Sequence, residues 1–291
     1  MPELPEVETT VKGLCKKVLD RTFIDVWSDW EKIVKKPKDF KVFKKELQGK
    51  KILKVWRRAK NVIFGLSGDY SLLIHQKMTG HLMVGGWSLQ NRKWRPDKKG
   101  PLEEKINTFI HLLFTLDNGK MIALSDVRKF AKAELWKTEE LLTSPEFKKL
   151  GPEPMEKDFT LVKFKLALRG KKGKVKQVIM VPEVIAGIGN IYSSEALWWA
   201  KIHPQKNVSS LSEKELKLLY EAIKKVLATG IKLGGESFAD YRNVDGKKGQ
   251  FDDERKVYKR EKQPCFRCKY PIGRLKFGGR SAFFCPNCQI L

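Results

Sequence analysis

Long apolar stretches are missing from this sequence: no window approaches the 18 or so consecutive apolar residues that a membrane-spanning helix needs. The first residues also lack a basic stretch followed by an apolar run, so no secretory signal peptide is visible. Cysteine is scarce, with five residues in 291, and four of the five lie between positions 265 and 288. This distribution suits a reducing compartment and a metal site better than a disulfide framework. We therefore expect a cytoplasmic protein that is not secreted and has no membrane partner.

Acidic residues are the second deficit. The chain has 34 Asp and Glu against 59 Lys and Arg, which gives a formal net charge of +25 and a pI near 9.8. This excess indicates a polyanionic partner, namely DNA, RNA or an anionic membrane surface, although a merely soluble basic protein has a similar composition. Hydrophobic residues make up 41% of the chain, which is enough to form two or three domains with real cores.

The first half of the chain predicts one helix followed by a β domain. Apolar residues recur at helical spacing from Val7 to Val18, and Cys15 lies on this apolar face as a packing residue. Residues from about 20 to 137 are mainly β, as a sandwich or a barrel, with a hairpin turn at 117–119. The predicted strands are KILKVW, NVIFGLS, SLLIHQKM, FIHLLFTL and KMIALS, with RRAK (57–60) as the turn between the first two. The segment QNRKWRPDKKGPLEEK (90–105) is expected to be a polar loop.

The second half predicts helices and a small C-terminal module. LGPEPMEKD (150–158) has the composition of a linker, and Ser212 and Glu215 form a capping box ahead of a helix. A long segment without periodicity, rich in Gly and Asp, follows this helix up to about residue 254; a loop of that length is usually functional or mobile. A cysteine module begins at about residue 263.

The cysteine module carries the strongest local signal. CFRC (265–268) and CPNC (285–288) are two C-x2-C pairs separated by sixteen residues. Two such pairs on a short hairpin supply the four thiolates that a structural zinc prefers, and no position is left for a catalytic water. The predicted ligands are Cys265, Cys268, Cys285 and Cys288; two local disulfides are the alternative.

The segment GIGNIYSSEALWWA (187–200) is a candidate phosphate site. Gly187 and Gly189 allow close approach of a ligand to the backbone, and Asn190 is expected to cap the helix that follows. Free amides at a helix start bind phosphate well, although an ordinary helical corner with glycine for packing has the same pattern.

The chain begins MPELPEVETT, and this acidic start to a basic protein is unexpected. Pro5 and Glu6 suit the first turn of a helix, but Pro2 and Glu3 precede it. If Met1 is removed, Pro2 offers a secondary amine that attacks an aldehyde-like carbon and gives a cationic iminium. A neighbouring carboxylic acid can protonate the leaving oxygen. Pro2 and Glu3 are therefore a candidate nucleophile and its acid.

Taken together, these segments resemble the formamidopyrimidine-DNA glycosylase family, whose members are bifunctional repair enzymes for oxidised purines. The resemblance runs nearly end to end, in matching order and approximate spacing. It covers PELPEVET, RRAK (57–60), Met78-Thr79-Gly80, DVRKF (126–130), LGPEP (150–154), GIGNIYSSEAL, IHP (202–204), the Gly234-Gly235 loop and the four-cysteine finger.

The resemblance implies an α+β multidomain fold. Residues 1–140 would form an N-terminal catalytic β-sandwich with a flanking helix, and 141–157 a linker. Residues 158–262 would form a helix–two-turns–helix domain that carries a base-capping loop at 236–257. Residues 263–291 would form a zinc finger on a β-hairpin, and the family's active site lies in the cleft between domains.

The resemblance also implies catalytic roles for five residues. Pro2 would be the nucleophile at the sugar C1′, Glu3 the proton donor and Glu6 a supporting carboxylate. Lys60 would act in β-elimination and contact phosphate, and Arg280 would hold the flanking phosphate and assist δ-elimination.

DNA contacts follow from the same resemblance. The predicted phosphate and DNA contacts are Asn190, Tyr258, His111, Lys172 and Lys176. Met78, Arg128 and Phe130 match the wedge that fills the gap left by an extruded base, although core packing is the alternative for Met78 and Phe130. The sequence departs from common family patterns at Gln76-Lys77, at Ala131 and in loop 88–105, which is longer and more basic than usual.

The implied function is that of a bifunctional DNA glycosylase and AP lyase. It would excise 8-oxoguanine and formamidopyrimidines from duplex DNA through an N-terminal proline Schiff base, cleave the strand by β,δ-elimination, and carry one structural zinc. Its partner would be double-stranded DNA with oxidised bases or abasic sites, bound by a monomer associated with the nucleoid. An endonuclease VIII-type enzyme for oxidised pyrimidines is the first alternative; it usually starts PEGPE, where this chain has PELPE, and tends to lack a long capping loop. A non-catalytic DNA-binding protein on the same scaffold is the second.

Overall fold

The computed structural model describes residues 1–91, 93–237 and 240–291. Residue 92 of the polar loop and residues 238 and 239 of the predicted capping loop lie outside the described residues. Within the described ranges the helices are α1 Leu4–Val18, α2 Phe40–Leu47, α3 Thr138–Thr143, α4 Pro145–Lys148, α5 Leu161–Leu168, α6 Val175–Ile179, α7 Asn190–Ala200 and α8 Glu213–Lys232. The strands are β1 Phe23–Trp27, β2 Val34–Lys36, β3 Ile52–Arg58, β4 Asn61–Leu66, β5 Tyr70–His75, β6 His81–Gly85, β7 Trp87–Gln90, β8 Lys93–Pro96, β9 Ile110–Leu116, β10 Met121–Ser125, β11 Lys132–Lys137, β12 Gly273–Phe277 and β13 Arg280–Phe284.

The chain forms two compact units. Unit 1 comprises Met1–Lys148 and Leu233–Asp252, and unit 2 comprises Lys149–Lys232 and Asp253–Leu291. The segment Leu233–Asp252, which the sequence analysis assigned to the helical domain, packs in unit 1. The predicted domain boundaries otherwise stay a prediction.

Unit 1 is built on two sheets and helix α1. One sheet has the strand order β1-β9-β10-β6 and the other β2-β11-β5-β4-β3. Phe23 packs against Phe64 and Phe114 with ring centroids 6.4 and 5.5 Å apart, and the apolar face of α1 packs in the same core. The five predicted strands, the helix and the turn at Gly119, where φ is +76°, are confirmed.

The polar loop predicted at 90–105 is partly wrong. β7 and β8 pair as an antiparallel hairpin, and two short 3-10 helices follow at Pro101–Glu103 and Lys105–Thr108. The hairpin forms because Trp87 and Trp94 supply an apolar face that packs on the sheet below, in a cluster with Met83 and Ile110. Polar composition concealed this face, since only alternate residues contribute to it.

Unit 2 consists of packed helices and the C-terminal hairpin β12–β13. The predicted capping box at the start of α8 is confirmed, because the Ser212 backbone N–H donates to Glu215 Oε2 at 2.9 Å and the Glu215 N–H donates to Ser212 Oγ at 3.3 Å. Trp198 of α7 packs with Val257, Ile272 and Phe283, so the core of the hairpin β12–β13 is continuous with the helices. None of the helices in the described ranges has both the length and the apolar character needed to cross a bilayer.

Candidate active site and nucleic-acid interface

The front end of the chain is folded into the interior of unit 1. Pro2 is buried, and Glu3 and Glu6 are 2% and 1% exposed. Glu3 is the residue before α1, and its backbone N–H donates to Glu6 Oε2 at 2.7 Å. The Glu6 carboxylate thus fixes the backbone that carries Pro2 and Glu3. Acidic residues that look misplaced in a basic chain are held here by the geometry of a helix start.

The other oxygen of Glu6 binds the segment Leu233–Asp252. Glu236 N–H donates to Glu6 Oε1 at 2.7 Å, and the Tyr241 hydroxyl donates to the Glu6 carbonyl oxygen at 2.9 Å. Gly235 has φ +87°, and a Cβ there would lie 2.8 Å from Glu6 Oε1, so glycine is required both by the backbone and by the space. Burial raises the pKa of Tyr241, which keeps its hydroxyl a proton donor.

Lys60 lies in the turn between β3 and β4. The buried side chain of Arg57 fixes this turn, because Arg57 Nε donates to Glu8 Oε2 at 2.9 Å and Nη1 donates to the Ala59 carbonyl at 3.1 Å. Ala59 has φ +52°, which gives the turn its shape. Burial, followed by neighbouring lysine charges that include Lys60, lowers the pKa of His75 to about 3. The ion pair between Arg57 and Glu8 therefore joins helix α1 to the lysine turn.

Met78 lies in the loop 76–80, and Arg128 and Phe130 lie in the loop 126–131. These two exposed loops are called the tips. Met78 is 42% and Phe130 51% exposed, so neither is a core residue, and the Arg128 guanidinium stacks 4.6 Å from the Phe130 ring centre. The buried carboxylate of Asp126 joins the tips. It accepts a hydrogen bond from the Thr79 hydroxyl, and its oxygens accept from the backbone N–H groups of Arg128 at 3.2 Å, Phe130 at 2.7 Å and Ala131 at 2.7 Å.

His111 is largely buried on β9. Its Nδ1 donates to Asp29 Oδ1 at 2.8 Å, and its backbone carbonyl accepts from the Ser28 hydroxyl at 2.6 Å. Its ring lines a cleft that is described below. The predicted DNA contact of His111 stays a prediction.

The predicted phosphate site at the start of α7 differs in detail from the expectation. Gly189 and not Asn190 is the residue before the helix, and no side chain caps it. Lys176 is 1% exposed, and its ammonium donates to the Asn190 carbonyl at 3.0 Å and to Ser193 and Ser194 Oγ at 2.8 and 2.9 Å. This burial favours a role in holding the start of α7, so direct contact of Lys176 with DNA stays a prediction. Asn190 Oδ1 is buried without a hydrogen-bond partner among the described residues.

Lys172 and Arg280 are exposed in unit 2. Lys172 lies between Gly170 and Gly173, which both have positive φ. Arg280 follows the turn Gly278-Gly279 of the hairpin β12–β13, and its Nη1 lies 3.8 Å from Met180 Sδ. Both positions leave the cations accessible to a polyanion.

Tyr258 is positioned by a carboxylate that the sequence analysis did not single out. Glu195 of α7 is 1% exposed, and it accepts from the backbone N–H groups of Lys256 at 2.8 Å, Val257 at 3.0 Å and Tyr258 at 2.8 Å. The Tyr258 ring packs edge-on against Phe283 at 5.3 Å. Burial raises the pKa of Glu195 above its ordinary value, and the hydrogen bonds from the three backbone donors offset only part of this rise.

Asp126, Glu195 and Tyr241 were all missed from the sequence. Glu195 and Tyr241 contact backbone atoms that are distant along the chain. The backbone amides that donate to Asp126 are close in sequence but follow no repeating pattern. The one available signal was the acidic residue at the head of DVRKF, since Asp commonly accepts from the amides that follow it in a turn.

The four finger cysteines converge on one point. Their Sγ atoms all lie within 4.8 Å of one another, close to the spacing of about 3.8 Å that a tetrahedral zinc with Zn–S bonds of about 2.3 Å requires. All four are reduced. Trp198 Nε1 and the Arg267 backbone N–H each donate to Cys265 Sγ at 3.4 Å, which orients that sulfur as outer-shell donors do in zinc sites. The residues fit one structural zinc.

Comparison with known families covers most of the chain. Residues 1–133 match the formamidopyrimidine-DNA glycosylase N-terminal domain, residues 150–242 its H2TH domain, and residues 262–290 the zinc finger found in FPG and IleRS. The formamidopyrimidine-DNA glycosylase of Heliobacterium modesticaldum is 38% identical over 99% of this chain and 100% of its own length. That of Pediococcus pentosaceus is also 38% identical, over 100% of both.

Solved structures agree with this assignment. The Lactococcus lactis Fpg bound to DNA containing an abasic site has a TM-score of 0.86 and 35% identity, covering 99% of this chain and 100% of that one. MutM in complex with carbocyclic 8-oxo-G containing DNA has a TM-score of 0.86 and 35% identity over 100% of both chains. With a full-length match in sequence, in fold and in the four-cysteine finger, the chain belongs to the formamidopyrimidine-DNA glycosylase family.

Proposed function

We propose that this protein is a bifunctional DNA glycosylase and AP lyase that removes oxidised purines from duplex DNA. The observation that carries the proposal is the buried Pro2-Glu3 pair, whose backbone Glu6 fixes at 2.7 Å. Relatives that cover the full chain carry the same family name, and similar structures hold DNA containing Fapy-dG or 8-oxo-G. The protein works in the cytoplasm, on nucleoid DNA.

In the proposed reaction, the lone pair of the Pro2 nitrogen attacks the sugar C1′, and the C1′–base bond breaks with its electron pair on the base. The proton lost from the Pro2 nitrogen neutralises the departing base, which frees the nitrogen lone pair for the next step. Glu3 protonates the ring oxygen, which opens the sugar and gives a cationic iminium between Pro2 and C1′. The iminium withdraws electrons, so loss of a proton from C2′ expels the 3′ phosphate. Loss of a second proton then expels the 5′ phosphate. Lys60 assists the first elimination, and Arg280 holds the flanking phosphate and assists the second.

The chemistry requires a free Pro2 amine, so Met1 must be removed from the active protein. The proposed wedge of Met78, Arg128 and Phe130 fills the gap that opens when the nucleotide leaves the stack, a step that costs a few kcal/mol. Two features of the sequence favour oxidised purines over oxidised pyrimidines as substrates. The chain reads PELPE at its start, and it has a long segment at 236–257.

Borohydride trapping tests this proposal. On a duplex with 8-oxoguanine opposite C, reduction should give a stable protein–DNA adduct that sequencing places on Pro2. Glu3→Gln should bind the duplex but release base slowly, and a Met1-retaining form should trap nothing, because misplacing the amine by ångströms costs about 100-fold in rate.

Four outcomes contradict the proposal. An adduct on Lys60 or equal cleavage by the Met1-retaining form removes Pro2 as the nucleophile. Faster action on thymine glycol than on 8-oxoguanine favours the endonuclease VIII-type alternative. Binding of DNA without a trapped adduct on any lesion favours the second alternative, a non-catalytic DNA-binding protein.

A further inference from the structure

We propose that the hairpin β7–β8 and the residues that follow it, here called the basic hairpin (87–91 and 93–99), form an additional binding surface for the phosphate backbone of duplex DNA. The inference rests on the proposed function and deepens it, because it extends the DNA contact to duplex that flanks the lesion. The five catalytic positions proposed above all lie outside this segment.

The basic hairpin is anchored through its inner face. The Trp94 ring packs edge-on against Trp27 of β1 with centroids 5.5 Å apart, and Trp87 is 2% exposed within the cluster that contains Met83 and Ile110. Asp97 Oδ1 accepts from the Ser88 hydroxyl at 2.6 Å, which ties the end of the hairpin to its beginning. The hairpin is therefore a fixed platform on unit 1.

The outer face of the platform carries cations. Lys93 pairs with Gln90 and Arg95 with Ser88, so the two basic side chains project from the same face about 7 Å apart. Lys98 and Lys99 follow and are also exposed. Two cations at this spacing on a rigid strand can each meet a phosphate of one DNA strand.

The charges of these four cations are not balanced by ion pairs in the part of the chain that the structure describes. Lys93, Arg95, Lys98 and Lys99 form no ion pair with any residue that the structure describes. The nearby carboxylates are engaged elsewhere: Asp97 as above, Glu103 with the Gly100 N–H at 2.9 Å, and Glu104 with Arg242 Nε at 2.7 Å. The pairing with Arg242 lowers the pKa of Glu104 and so keeps it ionised. The four cations outnumber Asp97, the one acidic residue of 93–99, so this stretch carries a net positive charge.

This stretch is continuous with a residue already predicted to contact DNA. Lys93, Trp94, Arg95 and His111 line one cleft of about 290 Å³. Asp29 also lines it, but its carboxylate accepts from His111 Nδ1 at 2.8 Å and so opposes an anion less than an unpaired acid would. The cleft joins the basic hairpin to β9, which makes an extended polyanion a better occupant than a small anion.

The test measures how the affinity for undamaged duplex DNA depends on salt. The variant replaces both Lys93 and Arg95 by Gln. Each lost phosphate contact should reduce the slope of log affinity against log salt by about 0.9, so the double variant should lose about 1.8. The matched control replaces Lys41 and Lys45, two exposed cations of α2, by Gln and should keep the slope of the unchanged protein. Lys93→Arg with Arg95→Lys should also keep it, because the charges remain.

An unchanged slope in the Gln variant, with its thermal midpoint preserved, overturns the inference. So does an equal loss in the α2 control, which would show that only net charge matters. A variant that loses binding to vesicles of anionic lipid but keeps its DNA slope also overturns it, since the surface would then serve a membrane.

The test separates this inference from the proposed function. The binding measurement uses undamaged DNA and needs no catalysis. If the unchanged protein cleaves 8-oxoguanine duplex but the slopes of all variants agree, the inference fails alone. If the protein cleaves nothing while the basic hairpin sets the slope, the proposed function fails alone.

Discussion

The single carboxylate of Asp126 holds both exposed tips in position. Its two oxygens accept from the Thr79 hydroxyl and from three backbone amides, those of residues 128, 130 and 131. The buried carboxylate and its donors stabilise the fold only together, because an amide that loses its acceptor stays buried and unsatisfied.

Asp126→Asn should therefore be costly although it preserves volume. One oxygen becomes an NH2 group that faces backbone donors, and we expect a loss of about 1–3 kcal/mol for each group left unsatisfied. Because the tips loosen, excision of a paired lesion should slow more than cleavage of a preformed abasic site. Urea unfolding and single-turnover kinetics measure the two effects.

The control for Asp126 is Asp25→Asn, whose carboxylate is about half exposed and pairs with Lys44. It should change stability by less than about 1 kcal/mol. If Asp126→Asn behaves like this control, the carboxylate does not hold the tips.

His81 gives the stability of unit 1 a defined dependence on pH. Burial lowers the pKa of His81 to about 4, and Nε2 of its neutral ring lies 2.8 Å from Asn107 Oδ1. As the pH falls below about 6.5, the ordinary pKa of histidine, His81 binds a proton in the unfolded chain but not in the folded chain. The contribution of His81 is therefore fully present above pH 6.5 and is lost progressively down to about pH 4.

We expect His81→Gln to reduce this loss, because Gln can donate to Asn107 but does not titrate. The difference in unfolding free energy between pH 7 and pH 5 should shrink by up to about 1.4 kcal/mol per pH unit, the value for one proton. His75, with its pKa lowered to about 3, supplies a similar term that remains. An unaltered pH profile in the variant would show that His81 is not the titrating group.

At the scale of elements, much of the fold follows from local pattern. Five strands of the two main sheets (β3, β4, β5, β9 and β10), helix α1 and the start of α8 were predicted because alternation, helical spacing and capping are encoded within a few residues. The basic hairpin was missed because its apolar face rests on Trp87 and Trp94, too few residues to show periodicity in a polar segment. Asn190 was expected as a cap, but Gly189 takes that position.

The candidate site was predictable only in part, for a physical reason. Pro2, Glu3 and the cysteines carry chemistry that is visible in short motifs. Other groups of the site are held by distant contacts: Glu195 accepts from the backbone beside Tyr258 over separations of 61 to 63 residues, and the Glu236 N–H donates to Glu6 over 230 residues. Such contacts depend on the completed fold, and no local pattern indicates them.

The zinc finger should depend on its metal for its structure. Binding of structural zinc supplies on the order of 10 kcal/mol to the folding of small modules. We expect one zinc per chain by metal analysis, and Cys288→Ser should lower zinc content, duplex affinity and strand cleavage while the sheets of unit 1 stay folded. Cys15→Ser is the matched control, because Cys15 lies on α1 and donates to the Val55 carbonyl at 3.3 Å, away from the finger. A protein without zinc that keeps full activity would contradict the prediction.

At the scale of the whole molecule, a net charge of +25 should make DNA binding strongly dependent on salt. Each phosphate that is neutralised contributes about 0.9 to the slope of log affinity against log salt. Lys60→Ala and Arg280→Ala should each reduce the slope by about 0.9 on undamaged duplex. Fluorescence titration over a range of salt concentrations measures this, and Lys45→Ala serves as the control. An affinity that does not change with salt would rule out a phosphate-binding surface.

The segment Leu233–Asp252 has a consequence for synthesis of the chain. Val244 belongs to the core of unit 1, its carbonyl accepts from the Val84 N–H at 2.8 Å, and Glu236 completes the hydrogen bonding of Glu6. A ribosome that has finished Lys148 must therefore add about 100 more residues, which takes about 5–20 s, before unit 1 can close. During that interval the nascent chain holds its N-terminal sheets with an incomplete core. The removal of Met1 that the proposed nucleophile requires would be easiest in this interval, before folding buries Pro2.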